Sequence, residues 1–373
     1  MTIHIPVRPA IISPLVALLA CEQGCEPLPR PEVVAVSNYI EYSTWGDASS
    51  LCMDSRLAEA DRFIEETAAF LQADPPPLRS IRYIHVPRSL QDPERTWACP
   101  ALKGGCFFAE GKIHDDRSVI YGDDFAFWHE LAHAVDFYAI GLEHWVLQEG
   151  LADYFSGVYS TGPILDSFVE TIKADLKRGD PSSDYGAATH FVGSLIQRHG
   201  IDRFKKFGAR LDRGARLQDF SAAYAHEFGE EFDLALADMA LTPITTRSTR
   251  DCTGEVLPWP DPGEFRATVV GVCGDDHYYS PGSAPEIPGA FRQYVIDVAE
   301  TAMYRFSIES TDPGTKTVSV ITCGMERRFL WTAAEGEGST VQLDLGRHVL
   351  RVGFPDGDDS PEIDIRLTQV DSF

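Results

Sequence analysis

A chain of 373 residues carries 57 acidic against 32 basic side chains, a formal net charge of −25. That imbalance excludes nucleic acid and anionic membrane surfaces as main partners, since their phosphates and headgroups would repel it. With 44% hydrophobic residues, the length allows two globular domains, each with its own core.

The N-terminus, Met1 to Cys21, holds Arg8 as its one formal charge and an apolar run from Ala10 to Ala20. Such a run is too short to span a bilayer as a helix and reads as a cleaved export signal over residues 1–20. Leu18-Leu19-Ala20-Cys21 resembles the bacterial lipobox, in which cleavage precedes a cysteine that then carries lipid. The resemblance implies a cell-envelope lipoprotein held to the membrane through Cys21. The alternative is an ordinary secreted protein with Cys21 in a disulfide. Residues 21–31 are polar and proline-rich, as a tether is. Export permits disulfides among the 8 cysteines, and one is expected to close the loop between Cys99 and Cys106. No C-x-x-C spacing occurs, which argues against a thiolate metal site.

Residues 32–245 read as the first domain. Val33 to Val36 and Tyr39 to Tyr42 are β-rich, and a helix is expected from Asp54 to Gln72, ended by Asp74-Pro75-Pro76-Pro77. Ile81 to Val86 alternates as a strand, and Cys106 to Gly111 with Ser118 to Tyr121 completes a small sheet. Asp123 and Asp124 can cap the next helix. Along it Phe125, Trp128, Ala132 and Val135 recur at helical spacing, and Gly141 offers a stop. From 145 to 241 the pattern is helical. Its closing stretch, Asp219 to Leu241, carries Phe220, Tyr224, Phe228 and Phe232 at core spacing.

The chemistry concentrates on His129-Glu130-Leu131-Ala132-His133, followed at a short interval by Glu149-Gly150-Leu151-Ala152-Asp153. Histidines four apart on a helix share one face, with Cβ atoms about 5–6 Å apart. Both imidazoles can then reach one ion, and Glu149 is a ready third ligand, the number that leaves a catalytic zinc ion an open position. Glu130 sits where it can take a proton from water at that position. Asp153, one turn after Glu149, can accept the spare N–H of a ligating histidine and fix its tautomer. The bland alternative is a buried helix pair whose histidines and glutamate only hydrogen-bond one another.

Trp128 to Asp136 together with Glu149 to Asp153 resembles the gluzincin metallopeptidases, the group containing thermolysin and the zinc aminopeptidases. The resemblance implies Zn²⁺ held by His129, His133 and Glu149, with Glu130 as general base. Asp184-Tyr185-Gly186-Ala187-Ala188-Thr189-His190, running on to Gly200, is similar to a helix of aminopeptidase-like members that opens on a tyrosine. That implies Tyr185 as a donor to the transition state, apt because a phenol donates to an oxyanion while uncharged at neutral pH. Tyr185 as a core or capping aromatic is the alternative. His190 is either a substitute donor or a helix-surface histidine.

In this family the edge strand binds the substrate backbone as one more strand. By analogy Cys106 to Glu110 is that edge, or else an interior hairpin. Two features depart from the family. No G-x-M-E-N-like segment, which holds the free amine in the aminopeptidase branch, precedes the helix, and thermolysin's downstream histidine segment is not recognisable. The resemblance covers about residues 120 to 240 and implies an endopeptidase acting on peptides or proteins. The alternatives are an aminopeptidase and a catalytically silent, surface-binding lipoprotein on a metallopeptidase scaffold.

Turn formers crowd Leu241 to Gly263, and residues 246–264 read as a linker. Over 265–373 short strands are expected at Gln293–Val298, Tyr304–Ile308, Thr317–Ile321, Val341–Leu345, His348–Val352 and Ile363–Leu367. They indicate a β-sandwich. It resembles the pre-peptidase C-terminal domains of secreted bacterial peptidases, most at Leu345 to Val352, which implies substrate or surface binding, or a passive packing role. The expected fold is α+β: a zincin-like catalytic domain with a small mixed sheet and a helical part, then an all-β sandwich.

Overall fold

The computed structural model describes residues 31–46, 52–86, 105–109, 117–122, 128–156, 167–178, 185–244, 254–259, 264–271, 277–279, 290–310, 317–322, 329–334, 339–354 and 363–370. The expected export signal, nearly all of the tether, Cys21, Cys99 and the capping pair Asp123 and Asp124 lie outside them. Among the described residues no helix is long and apolar enough to cross a membrane.

The first half is built, among the described residues, on five strands: β1 (Val33–Val36), β2 (Ile40–Thr44), β3 (Ile81–His85), β4 (Gly105–Phe108) and β5 (Ser118–Gly122). They form one mixed sheet in the order β1-β2-β3-β5-β4. Its three central strands run parallel, and β1 and β4 are antiparallel edges. Parallel neighbours need a long crossover, and helix α1 (Asp54–Phe70) supplies the one between β2 and β3. Along β3 the side chains alternate: Ile81 and Tyr83 enter the main core, while Ile84 and Val86 join Val119 in a smaller cluster on the other face. The helix ends two residues before Gln72, whose φ of 51° turns the chain left-handed ahead of the prolines. The Lys205 ammonium donates to the Leu71 carbonyl at 2.8 Å and satisfies that helix end.

Among the described residues seven more helices follow: α2 (Trp128–Ala139), α3 (Trp145–Ser156), α4 (Phe168–Arg178), α5 (Tyr185–His199), α6 (Ile201–Gly208), α7 (Leu217–Phe228) and α8 (Phe232–Met239). Helix α2 stops where expected. Gly141 adopts φ 68°, and its N–H reaches back to the Asp136 carbonyl at 2.7 Å. The closing stretch divides into two helices, because Gly229 at φ 73° is the left-handed cap of α7. Phe220, Tyr224, Phe228 and Phe232 are all buried, each ring contributing about 1.5–3 kcal/mol of hydrophobic stabilisation. Helix α5 is the central one: every residue from Ala187 to Ile196 is buried, so it has no polar face over that stretch.

The second half is a β-sandwich with ten strands among the described residues: β6 (Glu255–Leu257), β7 (Glu264–Val269), β8 (Tyr278–Tyr279), β9 (Ala290–Val298), β10 (Ala302–Ser310), β11 (Thr317–Thr322), β12 (Phe329–Ala334), β13 (Ser339–Leu343), β14 (Gly346–Phe354) and β15 (Ile363–Val370). One sheet runs β13-β10-β15-β7. The other runs β12-β11-β14-β9-β6, with β8 also paired to β9. Phe265, Ile296, Phe306, Val318, Leu350 and Leu367 meet in the core between them. Part of the expected linker belongs to this body: β6 pairs parallel with β9, and Leu257 and Trp259 pack on the sandwich core. The strand expected to reach Leu345 ends at Leu343, because Leu345 is exposed in the turn and Gly346 takes φ 127°.

Candidate metal centre

Helices α2 and α3 bring the three expected ligands to one point. On α2 the apolar side chains Leu131, Ala134 and Val135 are fully buried and fix the rotation of the helix. That rotation turns His129 and His133 together toward α3, their rings edge-to-face with centroids 4.6 Å apart. The ligand atoms form a triangle. His129 Nε2 is 3.0 Å from His133 Nε2 and 3.0 Å from Glu149 Oε2, and His133 Nε2 is 3.5 Å from the same oxygen. A tetrahedral cation 2.0–2.1 Å from each donor keeps its ligands roughly 3.3–3.4 Å apart. The triangle straddles that spacing, so the residues present fit a metal ion.

Helix α3 is placed by contacts at its start and its middle. At its start His144, fully buried, caps the helix with its ring: Nδ1 accepts the Val146 N–H at 3.3 Å and Nε2 donates to the Ala215 carbonyl at 3.2 Å. Both nitrogens are committed to one neutral tautomer. Burial accordingly pulls this imidazole down to about 4, against the opposing pull of the Ala215 carbonyl and Asp212. In the middle of the helix Gly150 lies against α5. A Cβ there would stand 2.4 Å from the Ala188 carbonyl oxygen, so only glycine admits this approach. Glu149 is thereby held at the depth the histidines require.

Asp153, one turn along α3, lies 2.5 Å from His129 Nδ1 through Oδ1 and is almost wholly buried. Its other oxygen lies 3.5 Å from the Thr189 hydroxyl, which donates at 2.8 Å to the Tyr185 carbonyl one turn back on α5. Glu130, beside His129, is buried as well. Burial alone lowers the His129 imidazole, but the bonds to Asp153 and Glu149, with the fields of Asp153 and Glu130, push it up to about 10. Burial raises the Glu149 carboxyl, yet its bonds to His129 and His133 outweigh that and hold it well below the ordinary carboxylate range. At His129 the neighbouring carboxylates outweigh desolvation, whereas at Asp153 desolvation comes first and raises the carboxyl against the opposing bond to His129.

The half-buried Tyr185 ring opens α5 beside the centre, its centroid 5.8 Å from that of His129. His190 is neither a substitute donor at the centre nor a surface residue: it is buried, its Nε2 donates to the Met239 carbonyl at 2.9 Å, and its ring packs edge-on to Phe168. The central position of α5 is the reason. Strand β4 is an edge of the sheet, and its Phe107 ring stacks on His133 at 6.3 Å and 23°. Cys106 in this strand is disulfide-bonded, as is Cys52. Sequence reasoning missed His144, Gly150 and Thr189 as parts of the site. The signal for Gly150 was present in the E-G pair, whereas His144 and Thr189 carry none without the fold.

No family model matches the chain. No curated protein matches it in sequence. Among solved structures, PliG of Aeromonas hydrophila, a periplasmic inhibitor of g-type lysozyme, is similar at 11% identity and a TM-score of 0.22, covering 31% of this chain and 95% of that one. The pre-peptidase C-terminal domain of a Bacillus anthracis collagenase is similar at 13% identity and a TM-score of 0.20, covering 32% of this chain and 98% of that one.

Proposed function

We propose that this chain is a zinc-dependent endopeptidase of the gluzincin kind, exported to the cell envelope. The observation that carries the proposal is the donor triangle of His129, His133 and Glu149, edged at 3.0, 3.0 and 3.5 Å. Two imidazoles and one carboxylate are a catalytic zinc set that leaves a fourth position open. His129, His133 and Glu149 would hold Zn²⁺ there, which would act as a Lewis acid and lower the pKa of a water. The rest falls to the chain's own side chains. Glu130 takes the water's proton and returns it to the leaving amine. Tyr185 donates to the oxyanion as it develops. Asp153 accepts the Nδ1–H of His129, so that Nε2 keeps its lone pair turned to the centre.

Strand β4, beside His133, offers its outer edge to an extended peptide or protein segment. Without an amine-holding segment before α2, the reading favours cuts within chains. The export signal and Leu18-Leu19-Ala20-Cys21 support a position outside the cytoplasm, anchored through lipid on Cys21.

Zinc content and turnover of N-terminally blocked peptides, compared between wild type and Glu130→Gln, test the proposal. The expected result is stoichiometric zinc in both and turnover in wild type alone. Activity unchanged by the substitution sinks the mechanism. Zinc-loaded wild type that cleaves nothing in a broad peptide library points to the silent scaffold, and turnover confined to unblocked peptides points to an aminopeptidase.

A further inference from the structure

The larger sheet of the sandwich is buried on both faces around β9. Tyr294, Ile296 and Val298 point into the sandwich core. Phe291, Gln293 and Val295, on the opposite face, are just as buried. Helix α1 is part of their cover. Its Arg56 places the guanidinium carbon 5.5 Å from the Phe291 ring centroid, and Arg351 of β14 does the same from within the sheet. Both cations have polar partners: Arg56 donates to Glu59 at 3.1 Å, and Arg351 donates through Nε to Gln293 Oε1 at 3.0 Å. Arg56, Glu59 and Arg351 are all buried, so cation–π attraction acts where little water competes. Cys52 packs on the sandwich core while Met53, the next residue, belongs to the core of the helices. The smaller sheet differs. Glu264 pairs with Arg266 and Arg366 on its outer face, and Thr268 donates to Asp364, all at the solvent boundary.

Helix α1 leads directly to the metal centre. Its Phe63 ring lies 5.2 Å from Trp128, the residue before His129. We infer that the sandwich is a brace for the metal helix. Phe291, clamped between Arg56 and Arg351, fixes α1, and α1 fixes the start of α2. Around Phe291 the larger sheet's outer face is committed to the chain's own helix, so that part of it is not the surface that receives a substrate or an envelope component. The second link rests on the metal-centre reading, whereas the docking of the sandwich on α1 does not.

Full-length wild type, Phe291→Ala, Arg56→Lys and the solvent-face control Arg266→Ser are compared by calorimetry and by competition titration with Zn²⁺. Arg56→Lys keeps a charge for Glu59 but loses the planar group over the ring. Wild type and the control are expected to unfold in one transition. The two clamp variants are expected to unfold in two and to bind Zn²⁺ about tenfold more weakly, the lower end of what lost support behind a metal ligand costs. One transition and unchanged affinity in both clamp variants overturn the inference. Two transitions with unchanged affinity overturn the link to the metal helix. A wild type that binds no Zn²⁺ defeats the metal reading, and the number of transitions then decides the docking by itself. If Phe291→Ala does not fold, Arg56→Lys decides.

Discussion

Asp153 Oδ1 and His129 Nδ1 lie 2.5 Å apart, a bond that ties α3 to α2 and settles which imidazole nitrogen faces the other ligands. Replacing Asp153 with alanine removes the acceptor and lets the ring take the wrong tautomer or rotate. Metal affinity is expected to fall by about 10–100-fold, measured by competition against a chromogenic chelator. Unchanged affinity would show that packing alone orients His129.

Tyr185 stands at the mouth of α5, its ring 5.8 Å from His129. If its hydroxyl donates in the transition state, Tyr185→Phe keeps the metal and loses about 10²–10³ in kcat, with KM little moved. Steady-state kinetics on one peptide substrate checks this. A kcat equal to wild type would make Tyr185 a packing aromatic.

Gly150→Ala drives a methyl into the Ala188 carbonyl, which is helix backbone and cannot move aside cheaply. Overpacking of this kind costs about 1–3 kcal/mol, and it pushes Glu149 out of the triangle. Lower thermal stability together with weaker metal binding is expected. A stable variant with normal metal affinity would contradict the close approach of α3 and α5.

His144 makes stability pH-dependent with a definite sign. Its folded value of about 4 lies below the ordinary 6.5, so between these values the unfolded chain holds the proton and the folded chain does not. The cap's contribution is complete above the ordinary value and is lost as pH falls toward the folded one. Between pH 7 and 5 this amounts to about 2 kcal/mol. His144→Asn can still cap the helix but does not titrate, so urea unfolding at the two pH values should show a smaller loss than wild type. Equal losses would mean that the ring is not the titrating group.

The grouping of His129, His133 and Glu149 was legible because its parts are local. His129 and His133 share one helix, and Glu149 and Asp153 share the next, so periodicity alone puts each pair on one face. What was illegible depends on contacts distant in sequence. Gly150 needs the Ala188 carbonyl, His144 needs Ala215, and His190 is buried because α5 is surrounded, a state that leaves no amphipathic stripe to read. Strand β6 was hidden among turn formers because it has three residues and borrows its register from β9.

Strand β4 is four residues long, and at about 3.3 Å per residue it measures roughly 13 Å of an added strand. On the proposed reading that strand is a gauge at the entrance to the reaction. A segment already coiled in a helix or paired in a sheet cannot align with it. The enzyme would therefore report on the state of its target, opening loops, frayed termini and unfolded chains while passing over compact ones.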